Sequence, residues 1–405
     1  MNTVINVMCF LIPVASIRRP MRARLRRRWA EYKNNLDTFS RGFSGRPIIL
    51  WIDHALGGGT EVYSKRQFKV LRKKYDVLRL QYFPRTELYH LTFAHNRHRI
   101  YTTYNLDEIA DFLCGLGLHE IVVNNLVAYK NTTDMLKIVA RIKHRCGGVR
   151  VSFRGHDFQA ICPSFNLMNC DEKYCDLMYV GGCEKCWGQK RLADNQISHN
   201  VLKSGATTIC AWRGAWGDFF ENTVDEVILF AEPIADIFVR AYPVIKPKIK
   251  IIPHTVQNYR RAKIKPHDGI NIVVLGNISY QKGAGVIRDI ATQLPDNVNI
   301  IIVGEMKNAP DNITVHGKYR AKQLPRLMEK YNTDIVFIPS IWPETFSYTT
   351  SEAISMGLPI ACFDMGAPAG RVRAYGRGLV LGEISPQKNL IQIIDFIKNM
   401  RGDKK

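Results

Sequence analysis

Residues 334–364 read DIVFIPSIWPETFSYTTSEAISMGLPIACFD, and they hold one complete unit of a layered fold. "DIVFIPS" is an apolar run of buried-strand type and "IWPET" is the loop at its carboxyl end. Ser347 stands as N-cap of a helix that runs to Met356, where Gly357 stops it, and "PIACFD" begins the next strand. Strand, helix and strand in that order make a parallel crossover. Glu344 then projects from the loop over the sheet edge, and Glu352 lies about one turn into the helix. The backbone amides near Phe346 to Thr349 form a helix N-terminus, a natural seat for phosphate. A phosphate there, with a carboxylate on either side, is the layout for a nucleotide sugar: sugar hydroxyls meet one acid and ribose hydroxyls the other. The plain alternative is a helix acid favoured by the dipole beside an unrelated loop acid.

The alternation extends in both directions. On the amino-terminal side "PIILWID", "DVLRLQYF", "EIVVNN" and "VRVSF" read as strands, with helices in "TEVYSKRQFKVLRKKY", "LDEIADFLCGLG" and "DMLKIVARIKHR". A Pro- and Lys-rich stretch near residues 255–268 reads as a domain boundary. Beyond it "INIVVLG", "VNIIIVG", "DIVFIPS", "PIACFD" and "GLVLG" repeat the pattern. The expected class is α/β, with two Rossmann-like, doubly wound parallel sheets and ligands beyond the carboxyl ends of their strands.

Composition bounds the partners. The 405 residues carry 57 Lys and Arg against 36 Asp and Glu, a formal net charge of +21, which asks for an anionic partner. Much of the excess follows the apolar run "VINVMCFLIPVAS" in "IRRPMRARLRRRW". The run is shorter than the roughly 20 apolar residues a spanning helix needs, and its charge lies on the wrong side for a secretory signal. It suits an interfacial anchor that meets an anionic membrane surface through residues 1–30. The other reading is a first core strand followed by a solvated basic helix.

The opening stretch, continued as "PETFSYTTSEAISMGLPIACFDMGAPAGRV", resembles the donor-site signature of retaining glycosyltransferases of the GT-B fold, glycosyltransferase family 4 or group 1, of the bacterial polysaccharide and lipopolysaccharide type. The resemblance implies GT-B architecture, with two Rossmann-like domains facing an interdomain cleft. Residues 1–46 would be the membrane-association segment, 47–255 the acceptor domain, 268–382 the donor domain and 383–405 a closing helix. It further implies donor contacts from Gly276, Asn277, Lys282, Glu344, Thr345, Phe346, Ser347, Tyr348 and Glu352. "GGGTEVY" looks like the family's glycine loop, with Gly57, Gly58 and Gly59 near the donor phosphates or the acceptor. The histidine of "FRGHDF", His156, falls where the family places an imidazole beside the sugar. In "LGNISYQKGAGVI" Lys282 matches the lysine that meets the diphosphate, whereas Asn277 stands where an arginine is usual. His156, Lys282 and Glu344 are thus the residues nearest the chemistry, with Lys282 and the loop amides stabilising the leaving diphosphate. The implied reaction needs no metal and no protein nucleophile.

Ten cysteines without a signal peptide suit a reducing compartment. Cys162, Cys170, Cys175, Cys183 and Cys186 crowd into an insertion at 162–186, as ligands of a structural zinc or as free thiols with occasional disulfides. The expectation is a peripheral enzyme on the cytoplasmic face of the cell membrane, moving a sugar from a nucleotide-diphosphate donor to a glycan or lipid-linked acceptor. The alternatives are a degenerate nucleotide-sugar-binding subunit, which Asn277 would suit, and a basic nucleic-acid-binding protein. The dispersed basic residues and the lack of RNP-like, KH-like or zinc-finger signatures argue against the last, so no nucleic-acid partner is expected.

Overall fold

The computed structural model describes residues 36–177, 182–188 and 208–402, together with Met21 and Leu25. Of the segment read as membrane-associating, residues 1–35 apart from those two lie outside the described residues, and the remainder holds the short helix Leu36–Ser40 with Phe39 buried. Among the described residues no helix is long and apolar enough to cross a membrane. The chain forms two compact units. One takes residues up to 165, 179–228 and 238–250; the other takes 166–178, 229–237 and 251–405.

The first sheet has eight strands: β1 (Ile48–His54), β2 (Asp76–Phe83), β3 (Leu88–Phe93), β4 (Asn96–Thr103), β5 (Leu118–Val123), β6 (Arg150–Arg154), β7 (Glu226–Leu229) and β8 (Ile249–Ile251). Their order is β4-β3-β2-β1-β5-β6-β7-β8. β1 pairs in parallel with β2 and β5, and β6 joins β5 to β7 in the same sense. β2, β3 and β4, by contrast, form an antiparallel meander. The sequence reading expected parallel strands throughout and did not find β3 and β4. Loop length gives the reason: only residues 84–87 separate β2 from β3, far too few for a parallel crossover, which needs about a dozen.

The second sheet is the doubly wound one in pure form. Its strands β9 (Ile270–Ile278), β10 (Val298–Met306), β11 (Thr314–Val315), β12 (Ile335–Ile338), β13 (Ile360–Phe363) and β14 (Gly378–Leu381) lie in the order β11-β10-β9-β12-β13-β14, all parallel. Successive residues face opposite sides. Ile272, Val274, Ile300, Ile302, Phe337 and Phe363 pack with the helices Ala284–Ala291 and Pro386–Arg401. Val273, Leu275, Ile301, Val303, Val336 and Ile338 pack with the helices Leu324–Lys330 and Tyr348–Ser355. Burial on both faces is why these strands read as continuous apolar runs rather than alternating ones.

Candidate active site

In the C-terminal unit the loop after β12 carries Glu344 to the sheet's carboxyl edge. Its carboxylate meets the Lys282 ammonium at 2.7 Å, with 5% of the Glu344 side chain and 34% of the Lys282 side chain exposed. Ser340 Oγ donates to Glu344 Oε1. Burial works against the charge on Glu344, but the Lys282 ammonium and the hydroxyls of Ser340 and Ser347 outweigh it and hold the carboxyl below its ordinary value. Two residues 62 positions apart in sequence are thereby brought into one ion pair at the mouth of the strand layer.

The loop is braced from behind. The Ala367 amide donates to the Glu344 carbonyl at 2.8 Å. Gly366 makes that turn with φ +61°, and a Cβ there would sit 2.6 Å from the backbone of Pro343, so no other residue fits without moving the loop. Ser347 also takes a positive φ, 63°, which is strained for a side chain with a Cβ. It occupies the N-cap position of the helix Tyr348–Ser355, but its side chain does not cap the helix amides as expected. Its Oγ instead lies 3.2 Å from Thr349 Oγ1 and accepts from Thr350 Oγ1 at 3.0 Å. The first-turn amides of that helix are left to other partners, as a phosphate site requires.

Arg371, which the sequence reading did not single out, holds this strained corner. Its guanidinium lies 4.5 Å from the Phe346 ring centroid and donates to Ser351 Oγ, to the Ser347 carbonyl at 3.3 Å and to the Ala367 carbonyl at 3.3 Å. Burial pulls its pKa down to about 10, against the pull of Glu344 and Cys362, and leaves it charged at neutral pH. His254 is a second unread neighbour. It stacks on Phe346 at 4.4 Å and shares a 2.9 Å hydrogen bond with the Tyr348 hydroxyl through Nδ1. Glu352 accepts from the Tyr259 hydroxyl at 3.5 Å. Burial raises the pKa of the Tyr319 phenol, with the Glu352 charge adding to it. Thr345 is buried beside Glu344. Gly276 and Asn277 lie on β9, and Asn277 is exposed.

In the N-terminal unit the glycine turn follows β1. Gly57 and Gly58 have φ of +83° and +77°, and Gly58 and Gly59 already open the helix Gly58–Leu71. His156, just past β6, bonds through Nε2 to Asn124 Oδ1 at 2.9 Å and meets the Tyr63 ring edge-on at 4.8 Å. Its neighbour Asp157 accepts from the Gln159 amide at 2.8 Å and from Asn125 at 2.6 Å. Desolvation outweighs both donors and raises its carboxyl to about 6.

Residues 166–178, with Cys170 and Cys175, belong to the C-terminal unit, and Cys162, Cys183 and Cys186 to the other. Among the described residues no group of three or more His, Cys, Asp or Glu side chains could hold a metal ion. Cys162 pairs with the Ser164 hydroxyl at 3.2 Å, and Cys183 accepts from Arg213 at 3.6 Å.

Residues 255–404 match the family model described as "Glycosyl transferases group 1". Among solved structures the chain is similar to Anabaena Alr3699/HepE in complex with UDP and glucose, at 15% identity and a TM-score of 0.56, covering 87% of this chain and 90% of that one. It is also similar to the lipopolysaccharide outer core galactosyltransferase WaaB, at 10% identity and a TM-score of 0.55, covering 87% and 91%. A third is WaaG, a glycosyltransferase involved in lipopolysaccharide biosynthesis, at 13% identity and a TM-score of 0.54, covering 87% and 90%. No curated protein sequence matches. The fold is GT-B, and the group 1 domain over the second sheet makes the chain a glycosyltransferase.

Proposed function

We propose that this glycosyltransferase moves a sugar from a nucleotide-diphosphate donor, with retained anomeric configuration, to a glycan or lipid-linked acceptor in cell-surface polysaccharide or lipopolysaccharide biosynthesis. The observation that carries the reading is the Lys282–Glu344 pair at the carboxyl edge of the second sheet, beside the N-terminus of the helix that carries Glu352. A diphosphate on the amides of that helix would meet the Lys282 cation, which can leave Glu344 and stabilise the charge that develops on the leaving group. Glu344, relieved of its partner, accepts hydrogen bonds from hydroxyls of the donor sugar, and Glu352 from those of the ribose. His156 contacts the sugar. The HepE structures hold UDP and glucose or UDP-glucose, and WaaB and WaaG are named for lipopolysaccharide, which supports both the donor class and the acceptor class. The reading assigns no step to a metal, and it places residues 1–30 on the cytoplasmic face of the membrane.

Thermal unfolding in the presence of UDP, GDP, dTDP, ADP and CMP tests the donor site, with Glu352→Ala alongside. A ligand that binds only the folded form at about a hundred times its dissociation constant adds about 2.7 kcal/mol of stability. One diphosphate should stabilise the protein selectively, and Glu352→Ala should lose the effect. If no nucleotide shifts the transition, the donor-site reading fails and the degenerate-subunit reading, favoured by Asn277, replaces it. Salt-sensitive sedimentation with membranes checks the location; a chain that stays in the supernatant with residues 1–30 intact refutes it.

A further inference from the structure

We propose that a buried hydrogen-bond relay of fixed direction holds neutral His156 in a single tautomer, with hydrogen on Nε2 and the lone pair on Nδ1, and that Ser64 and Asn124 are its positioning residues. The direction is set by groups that have no choice. Asp53, at the end of β1, is fully buried, and its Oδ2 accepts from Arg79 and from the Ser64 hydroxyl, each at 2.8 Å. A carboxylate ion-paired with a guanidinium only accepts, so the single hydroxyl proton of Ser64 goes to Asp53. Trp51 Nε1 only donates, and it gives its hydrogen to Ser64 Oγ at 3.2 Å. The remaining lone pair of Ser64 faces the Asn124 amide at 3.2 Å and can be met only by its NH2 group.

Asn124, fully buried, is thereby turned with Nδ2 toward Ser64 and Oδ1 toward His156 Nε2, 2.9 Å away. An amide oxygen only accepts, so Nε2 must carry the hydrogen. Turning Asn124 over would set its oxygen against a hydroxyl with no proton left to give, and its NH2 against Nε2. Burial makes either mismatch costly, because no water replaces the lost bond.

The relay links four pieces of one sheet edge: β1 through Asp53, β2 through Arg79, the residue after β5 through Asn124 and the residues after β6 through His156. Ser64 sits on the helix that the glycine turn opens, and Glu61 on the same helix also pairs with Arg79. The glycine turn and the histidine are therefore held by one set of bonds. With Nε2 donating to Asn124, the lone pair of a neutral His156 is on Nδ1, and any hydroxyl that donates a hydrogen bond to the ring nitrogens does so there. The effect on transfer rests on the reading of His156 as a sugar contact; the tautomer assignment does not.

Long-range proton–nitrogen correlation spectra of the full-length protein, labelled on its 11 histidines, test the proposal, with the His156 signals identified by their loss in His156→Gln. The unaltered protein should show the Nε2–H pattern alone for neutral His156. Asn124→Leu, which removes the acceptor, should show both tautomers. An Nδ1–H or averaged pattern in the unaltered protein overturns the proposal without any variant having to fold, and so does an unchanged pattern in folded Asn124→Leu. Turnover is measured on the same samples and should fall about tenfold or more in Asn124→Leu. If the tautomers respond as expected while turnover does not change, the relay stands and the sugar-contact reading of His156 falls.

Discussion

Lys282→Met leaves the Glu344 carboxylate buried without its cation. Removing one partner of a buried ion pair costs about 3–5 kcal/mol. Here the Lys282 side chain is about one-third exposed and Ser340 still donates to Glu344, which brings the expected loss at neutral pH to about 2–3 kcal/mol. For a unit of this size that corresponds to a lowering of its melting temperature by about 5–10 °C. The loss should depend on pH in a definite direction. In the unaltered protein the Glu344 pKa lies below its ordinary value, so the pair's contribution is complete above the ordinary carboxylate range and is lost as pH falls through the lowered value. In Lys282→Met the lysine no longer opposes burial, so the same carboxyl should titrate higher than in the unaltered protein. The stability gap between the two proteins should therefore be widest at neutral pH and should close on acidification as Glu344 takes up a proton. Denaturant titrations from neutral to acidic pH measure the gap, and Lys282→Met combined with Glu344→Gln supplies the control, since the neutral amide should recover most of the loss. A gap that does not change with pH, or a double variant as unstable as the single one, refutes the reasoning.

Gly366→Ala places a Cβ 2.6 Å from the Pro343 backbone in a turn with φ +61°, and should cost about 2 kcal/mol or more while weakening nucleotide binding in thermal-shift titrations. Arg371→Lys keeps the charge but loses the planar fork over Phe346, and denaturant unfolding should show a loss of about 2 kcal/mol; equal stability would mean that the fork does not hold the Ser347 corner. Asn277→Arg, at an exposed position of β9, should leave stability unchanged and tighten binding of the preferred nucleoside diphosphate by about tenfold in calorimetry. Asp157, with its carboxyl raised to about 6, binds a proton in the fold between about pH 6 and the ordinary carboxylate range, where the unfolded chain does not. Acidification through that window should therefore stabilise the protein through this group, and Asp157→Ala should flatten that part of the stability profile.

The second sheet was legible because its strands are buried on both faces: "INIVVLG" and "VNIIIVG" became β9 and β10, and the spacing of Glu344 and Glu352 around a helix start fixed where the loop after β12 had to lie. Lys282 was named from the family resemblance and not from any local pattern, and the fold pairs it with Glu344. The antiparallel β3 and β4 could have been found from the short connection at residues 84–87, which no parallel crossover can span. Other features left no local trace. Arg79 looks like a misplaced charge in the apolar strand "DVLRLQYF" until Asp53 and Glu61 are brought to it from two other elements. His254 and Tyr348 are 94 residues apart, and nothing in either neighbourhood announces the bond between them. Ser347 carries a conformation usually left to glycine, and sequence gives no signal for it because the cause lies in Arg371 and the turn at Gly366.

Where the family resemblance leads one to expect an arginine beside the diphosphate lysine, the chain has Asn277, and Arg371 does not replace it. All three of its guanidinium nitrogens already donate, to the Ala367 carbonyl, Ser351 and the Ser347 carbonyl, and its face covers Phe346. Three of its five N–H groups are used in this way, and swinging the guanidinium over to a diphosphate would break the bonds that hold the loop, whereas Lys282 needs only to move its partly exposed ammonium from Glu344. On the proposed reading the division of labour follows from the chemistry of the two side chains: the rigid fork would fix the loop that carries Glu344, and the flexible ammonium would carry the charge that changes partners.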